Sequence, residues 1–224
     1  MKGKGLFRGM MCFMTRCSPP FPNRCAAFLQ TAHRCKIPLT IQQSKLASTK
    51  SYQLKGYGQS CAANMKTNTN HTLCTDIPKS MGGKDSAPQP VEHLLAAYIG
   101  CTQATALFVG RNMKPRVLID KIEFDIVGHR DERGALDDIP ITDQSPLPQT
   151  PARLASLTGS IRVFSKDRLG QEVAIGEGVI RLLEKHVEHR CPVANMMILS
   201  GCQIHVLWED GFDTKASTDP ARLV

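Results

Sequence analysis

The segment VEHLLAAYIGCTQATALFVGRNM, residues 91–113, most limits what this chain can fold into. It is rich in leucine and alanine, and no formal charge falls between Glu92 and Arg111. A helix with so few polar residues on any side has to be covered all round. Other elements of the chain must therefore enclose it. Pro90 suits the first helical position, where its missing N–H is no loss. Gly110, Arg111 and Asn112 read as the end. Immediately before it, SMGGKDSAPQP holds two adjacent glycines, two prolines and an aspartate, a composition that predicts a loop.

The enclosing elements follow from pattern. SYQLKGYG alternates weakly and HTLCTDIP is closed by Pro78, so both are predicted strands. VLIDKIEFDIVGHRDE is a long strand with Val117, Ile119, Ile122, Phe124 and Ile126 at or near period two. A proline-rich loop over residues 139–151 leads to another strand, LTGSIRVFSKD. EVAIGEGVIRLLEKHVEHR predicts an amphipathic helix, with Ile175, Val179, Leu182, Leu183 and Val187 at helical spacing. CPVANMMIL reads as a short second helix and CQIHVLWED as the closing strand. The order of strands, buried helix, strands, helices and strand is that of an α+β fold, not of alternating βαβ units. The apolar run GLFRGMMCFM is too short for a bilayer, which takes about 20 apolar residues, and no other stretch reads as longer. A soluble mature protein without membrane insertion is expected.

Charge divides the chain. Of 28 Lys and Arg, 11 precede Asp76, the first acid; the remaining 17 face 20 acids, so the formal net charge of +8 belongs to the N-terminal part and the rest is acidic by three. A nucleic-acid partner needs a basic patch on a folded surface and is not expected. Residues 1–50, basic and free of acids, have the composition of a transit peptide to a mitochondrion or another organelle. A disordered tail on a cytoplasmic protein, or a later start such as Met65, is the competing reading. The folded domain is set at 51–208 and a polar C-terminal tail at 209–224.

Nine cysteines are irregularly spaced and no Cys-x-x-Cys occurs. Cys12, Cys17, Cys25, His33 and Cys35 lack the usual zinc-ligand spacing. A secreted disulfide scaffold is smaller and denser in cysteine, so an intracellular protein with one or two working thiols is expected. Cys61, Cys74 and Cys202, in or beside strands, read as inert core residues.

GGKDSAPQPVEHLLAAYIGC resembles the signature of the OsmC/Ohr family: a Gly-Gly loop, a proline, then an apolar helix reaching a cysteine. TDIP before the loop, IEFDIVGHRDERG with its Arg-Asp pair, HRCPVANM and CQIHVLWED agree with it over residues 51–208. The resemblance implies antiparallel sheets wrapped around buried central helices in an intertwined homodimer, with an active site at each interface. It implies reduction of organic hydroperoxides without a cofactor, Cys101 as peroxidatic and Cys191 as resolving cysteine, and a dithiol reductant such as a dihydrolipoyl protein.

That chemistry requires two thiols that meet: a thiolate attacks the peroxide, becomes a sulfenic acid, and a second thiol condenses with it. Read locally, Cys191 is the better activated. Pro192 after it makes it a candidate N-cap, with His186, His189 and Arg190 near in sequence. Cys101 lies about three turns inside its helix, beyond reach of the helix N-terminus. The family resemblance gives Cys101 the first attack. In the Ohr branch an early-strand arginine and a glutamate at the start of the central helix hold the cysteine as thiolate. Here the glutamate position falls on Val91. Glu92, nine residues before Cys101, could serve only from an irregular helix start. No arginine occurs between Ser51 and Asn64, leaving Lys55, Lys66, Arg111 and Arg130 as substitutes and His93 as an assisting base or a packing residue at the dimer interface. A non-catalytic dimer of this fold, binding a hydrophobic ligand or sensing redox state, is the alternative. A metal site from Cys101, Cys191 and a histidine is a third.

Overall fold

The computed structural model describes residues 49–136 and 139–212. The transit-peptide reading, the N-terminal cysteines and the polar tail beyond residue 212 lie outside the described residues.

The first sheet is a meander. Strands β1 (Leu54–Gln59) and β2 (Ala62–Thr67) form a hairpin through Ser60 and Cys61, with Ser60 at φ 54°, and β3 (Thr72–Thr75) pairs antiparallel with β2. β2 was not anticipated: Ala63 and Met65 alternate with Asn64 and Lys66, but small and polar side chains make that a faint signal. Lys55 and Lys66 stand directly opposite each other in this hairpin, and every residue of β1 is exposed.

Asp76 then fixes the loop that leads to the central helix. Its buried carboxylate accepts the backbone N–H groups of Ile77 (2.8 Å), Lys84 (3.2 Å) and Ser86 (3.1 Å) and the Ser86 hydroxyl (2.7 Å). These donors, led by Ser86, hold its pKa down at about 2. Within the loop Gly83 packs so tightly that a Cβ would lie 1.9 Å from the Ile77 carbonyl oxygen.

Helix α1 (Pro90–Asn112) starts with a reciprocal cap: the Gln89 N–H donates to Glu92 Oε2 at 2.7 Å while the Gln89 side chain takes the N–H of residue 92. Within a single chain α1 is covered on one side only. One stripe, Tyr98, Thr102, Ala106, Val109 and Gly110, is buried. The opposite side, with Gly100, Ala104 and Phe108, is open in the single chain, Phe108 being 60% exposed. By length and composition α1 also suffices to cross a membrane, at mean hydropathy 1.2, contrary to the sequence expectation; here its buried stripe packs in the protein core.

The second sheet is built on β5 (Arg153–Lys166). β4 (Leu118–Asp131) pairs antiparallel on one edge; β7 (Gln203–Asp210) pairs parallel on the other, continued by the short β6 (Glu172–Val173). A single helical turn, α2 (Arg133–Leu136), follows β4, held by Arg133 on both carboxylate oxygens of Asp131 (3.0 and 2.7 Å). Gly159 in β5 has φ +137°, and a Cβ there would stand 1.9 Å from the Asp125 carbonyl oxygen of β4. No L side chain fits that strand crossing.

Helix α3 (Glu177–Glu188) begins later than its pattern suggests, because Glu172 and Val173 join the sheet and Gly176 takes φ 76°. The N–H groups just before it, on Ile175 and Gly176, are accepted by Asp210 Oδ2 at 2.7 and 3.0 Å. The end of β7 is thus structural, not tail. The buried stripe is Ile180, Leu183 and Val187; Leu182 faces outward at 45% exposure. α4 (Pro192–Leu199) follows at once. α1, α3 and α4 pack with Leu157, Ile161 and Val163 of β5 and Val206 and Trp208 of β7 into one apolar cluster that also holds Cys191.

Candidate functional site: a paired thiol between two helices

Cys191 occupies the junction of α3 and α4. Its N–H donates to the Val187 carbonyl at 2.8 Å and its φ and ψ of −76° and 109° are extended, so the chain turns there and Pro192 opens α4. In that geometry the side chain caps the new helix: Sγ accepts the Ala194 N–H at 3.5 Å. The sulfur is completely sealed from solvent.

What it faces is α1. Cys191 interacts with Cys101, 90 residues earlier in the chain, and Thr102 Oγ1 lies 4.0 Å from its sulfur. Cys101 sits on the border of the buried stripe and is half-buried. Tyr98, one turn before Thr102 and 4% exposed, completes the polar part of this otherwise apolar seam. Its hydroxyl interacts with Thr102, and burial, reinforced by Cys191 and Glu188, holds its proton on far above the usual phenol range.

Burial is the largest influence on Cys191 and raises its pKa. The Ala194 N–H pulls it down, the neighbouring Cys101 raises it further, and Thr102 lowers it slightly; the net is upward. The expectation that the cap makes Cys191 the more activated thiol is therefore corrected. The cap bond exists, but desolvation of a charged sulfur outweighs one peptide donor. The nearby cations are engaged elsewhere: Arg190 donates to His186 Nδ1 (2.8 Å) and to the His186 carbonyl (3.2 Å). Glu184 and Glu188 on α3 are also raised, both chiefly by burial; Glu184 is raised further by Glu188. Sequence reasoning missed Tyr98 and Thr102. Their spacing from Cys101 was visible, but which side of α1 meets α4 was not.

The other candidates lie apart. α1 starts regularly, so the condition for Glu92 to reach Cys101 is not met. Its carboxylate closes the cap, about 13 Å away along the helix axis. His93 Nε2 donates to the Cys74 carbonyl at 2.8 Å, tying α1 to β3. Lys55 and Lys66 are on the exposed hairpin, Arg130 pairs with Glu132 at 3.8 Å, and Arg111 is exposed at the far end of α1. Cys202 is buried as expected, whereas Cys74 is half-buried with its thiol on Asn64 Oδ1 (3.1 Å). Cys61 is exposed on the hairpin turn, not in the core, because the two-residue turn points it outward. Among the described residues no three His, Cys, Asp or Glu side chains gather as a metal site.

An α+β chain that sets a cysteine of its central helix against a sealed, helix-capping cysteine is a candidate thiol-redox protein. The chain belongs to the OsmC-like family, whose model matches residues 83–206. No curated protein sequence matches it. Among solved structures it is similar to an organic hydroperoxide resistance protein OsmC from Legionella pneumophila, at 13% identity and a TM-score of 0.52, covering 73% of this chain and 99% of that one. It is equally similar to an OsmC-like protein from Mycoplasma pneumoniae, at 17% identity, a TM-score of 0.52, and coverage of 73% and 99%. At these identities the likeness establishes the fold.

Proposed function

We propose that this chain is a thiol-dependent peroxidase that reduces organic hydroperoxides, and hydrogen peroxide as a smaller substrate of the same chemistry. The Cys101 thiolate attacks the terminal peroxide oxygen, the O–O bond breaks, and the alcohol leaves after taking a proton. The resulting Cys101 sulfenic acid condenses with the Cys191 thiol, forming the disulfide and releasing water. A dithiol, of which a dihydrolipoyl protein is the family-like example, returns both cysteines to thiols. The observation that carries this reading is the interaction of Cys101 with a completely buried Cys191. Two thiols so remote in sequence share one dry seam.

A homodimer is part of the proposal. The open side of α1 along Gly100, Ala104 and Phe108, and the exposed Leu54 and Tyr57 of β1, are apolar surface that a second copy would cover. Mitochondrial import remains the expectation for the N-terminal composition.

Treating the reduced protein with dilute cumene hydroperoxide and mapping its peptides without reductant tests the reading. A Cys101–Cys191 disulfide is expected, with turnover abolished in Cys101→Ser. Full turnover in Cys101→Ser would refute it. A second reading, a redox-sensing or ligand-binding dimer without turnover, is favoured by one observation: Glu92 is committed to the helix cap and no arginine is hydrogen-bonded to Cys101 among the described residues. Rapid peroxide consumption with any dithiol removes that reading.

A further inference from the structure

The two sulfurs differ in a way that fixes the return half of the cycle. Cys101 is half-buried, whereas Cys191 has no solvent-accessible surface. An external thiolate needs access along the line of the S–S bond to displace the far sulfur, so it can approach only the Cys101 side. The sulfur then expelled is Cys191, and it departs as an anion inside an apolar cluster of Tyr98, Val187, Ala194 and Cys202. An anion formed there needs donors at the moment it forms. Two stand ready: the Ala194 N–H at 3.5 Å and the Thr102 hydroxyl at 4.0 Å. Thr102 is itself 2% exposed and sits one turn from Tyr98, whose hydroxyl keeps its proton in this buried seam.

We infer that the reductant attacks Cys101 Sγ, that Cys191 is the leaving thiolate, and that Thr102 with the Ala194 N–H forms the cradle that receives it. The step balances. The thiolate of a dithiol bonds to Cys101 Sγ, the Cys101–Cys191 bond breaks, and its electron pair goes to Cys191 Sγ. The second thiol of the same reductant then displaces Cys101, leaving as a cyclic disulfide. Two electrons pass from dithiol to protein, and each cysteine regains a proton from solvent or from the reductant's own thiols. The inference deepens the peroxidase reading, but it concerns the disulfide however that disulfide arises.

For that reason the test makes the disulfide with diamide, which oxidises two thiols without peroxide. The full-length oxidised protein is reacted briefly with glutathione, a monothiol that stalls at the mixed disulfide, then acid-quenched and mapped with the new Cys191 thiol alkylated. Glutathione is expected on the Cys101 peptide and the alkyl tag on the Cys191 peptide. The reverse distribution overturns the inference. In parallel, reduction by dihydrolipoamide is followed in Thr102→Val and Thr102→Ser. Loss of a donor to a forming anion predicts reduction slowed about tenfold in the valine variant and largely restored by serine. Formation of the Cys101 sulfenic acid by peroxide is expected to change less than about twofold, since Thr102 faces the other sulfur. Equal rates in wild type and Thr102→Val, or a valine defect that serine does not repair, refute the role of Thr102. If diamide yields the disulfide and peroxide does not, the peroxidase reading fails while the leaving-group assignment stands or falls on the adduct map alone.

Discussion

Gly159→Ala is a demanding probe of the architecture that holds the thiol seam. The residue lies mid-way along β5, between β4 and β7, paired with Ile126 on one side and Val206 on the other. Two costs add. At φ +137° an alanine takes a backbone conformation that L residues rarely adopt, which costs about 1–3 kcal/mol. Its Cβ would also meet the Asp125 carbonyl oxygen at 1.9 Å and the Ile126 Cα at 3.1 Å. β4 must move by more than an ångström, weakening at least one ladder hydrogen bond at about 0.5–1.5 kcal/mol. The total is about 2–4 kcal/mol, which for a domain of this size lowers Tm by about 5–15 °C. Gly178→Ala is the control. It lies in the first turn of α3 with nothing within 4 Å of the added methyl, and alanine there is expected to hold or raise Tm by up to a few degrees. Thermal unfolding followed by circular dichroism on both variants, matched in concentration and fully reduced, reads the difference. A Gly159→Ala protein within about 2 °C of wild type would refute the argument that this strand crossing excludes a side chain.

Three further outcomes follow from the site and its surroundings. Cys191, sealed and with its pKa raised chiefly by burial, is a neutral thiol at pH 7 and should resist iodoacetamide in the folded reduced protein while alkylating readily in urea; prompt native-state labelling at residue 191 would contradict its burial. Asp76 has a folded pKa depressed from 3.8 to about 2, so the stabilisation it gives is fully present above pH 3.8 and lost as pH falls through 2; amide exchange at Lys84 and Ser86 should accelerate over that window in wild type, and an Asp76→Asn variant should already show the fast exchange at pH 7. Glu92→Ala should lower stability by about 0.5–2 kcal/mol through the lost cap and leave peroxide turnover within about twofold, measured by denaturant titration beside a hydroperoxide assay; a turnover loss of tenfold or more would return Glu92 to the reacting centre.

Much of the fold was legible because local rules agreed with the tertiary outcome. Pro90 marked the start of α1, alternation from Val117 to Ile126 marked β4, and Pro192 after Cys191 marked the α3–α4 junction. β2 was missed because Ala, Asn and Lys carry little strand signal of their own; it exists because Ser60 and Cys61 turn the chain back on β1. α3 was started too early because Ile175 has helical spacing from Val179, yet Asp210, at the other end of the domain, pulls the backbone of Ile175 and Gly176 out of the helix.

The resemblance of the sequence to the OsmC/Ohr family put Cys101 forward; from the residues alone, the sequence determined the α+β order, the apolar central helix and the capping of α4 by Cys191. Each rests on residues near one another in the chain, where periodicity and capping act. Tertiary structure alone decided that the two sulfurs share a seam, that Thr102 and Tyr98 are the polar groups beside them, and that burial overrides the cap to leave Cys191 protonated. Those facts depend on which side of α1 meets α4 and on how much water is excluded there. Neither depends on any short stretch of residues. Side-chain contacts act over about 4 Å in space, and nothing local in the intervening residues says which atoms will be brought that close.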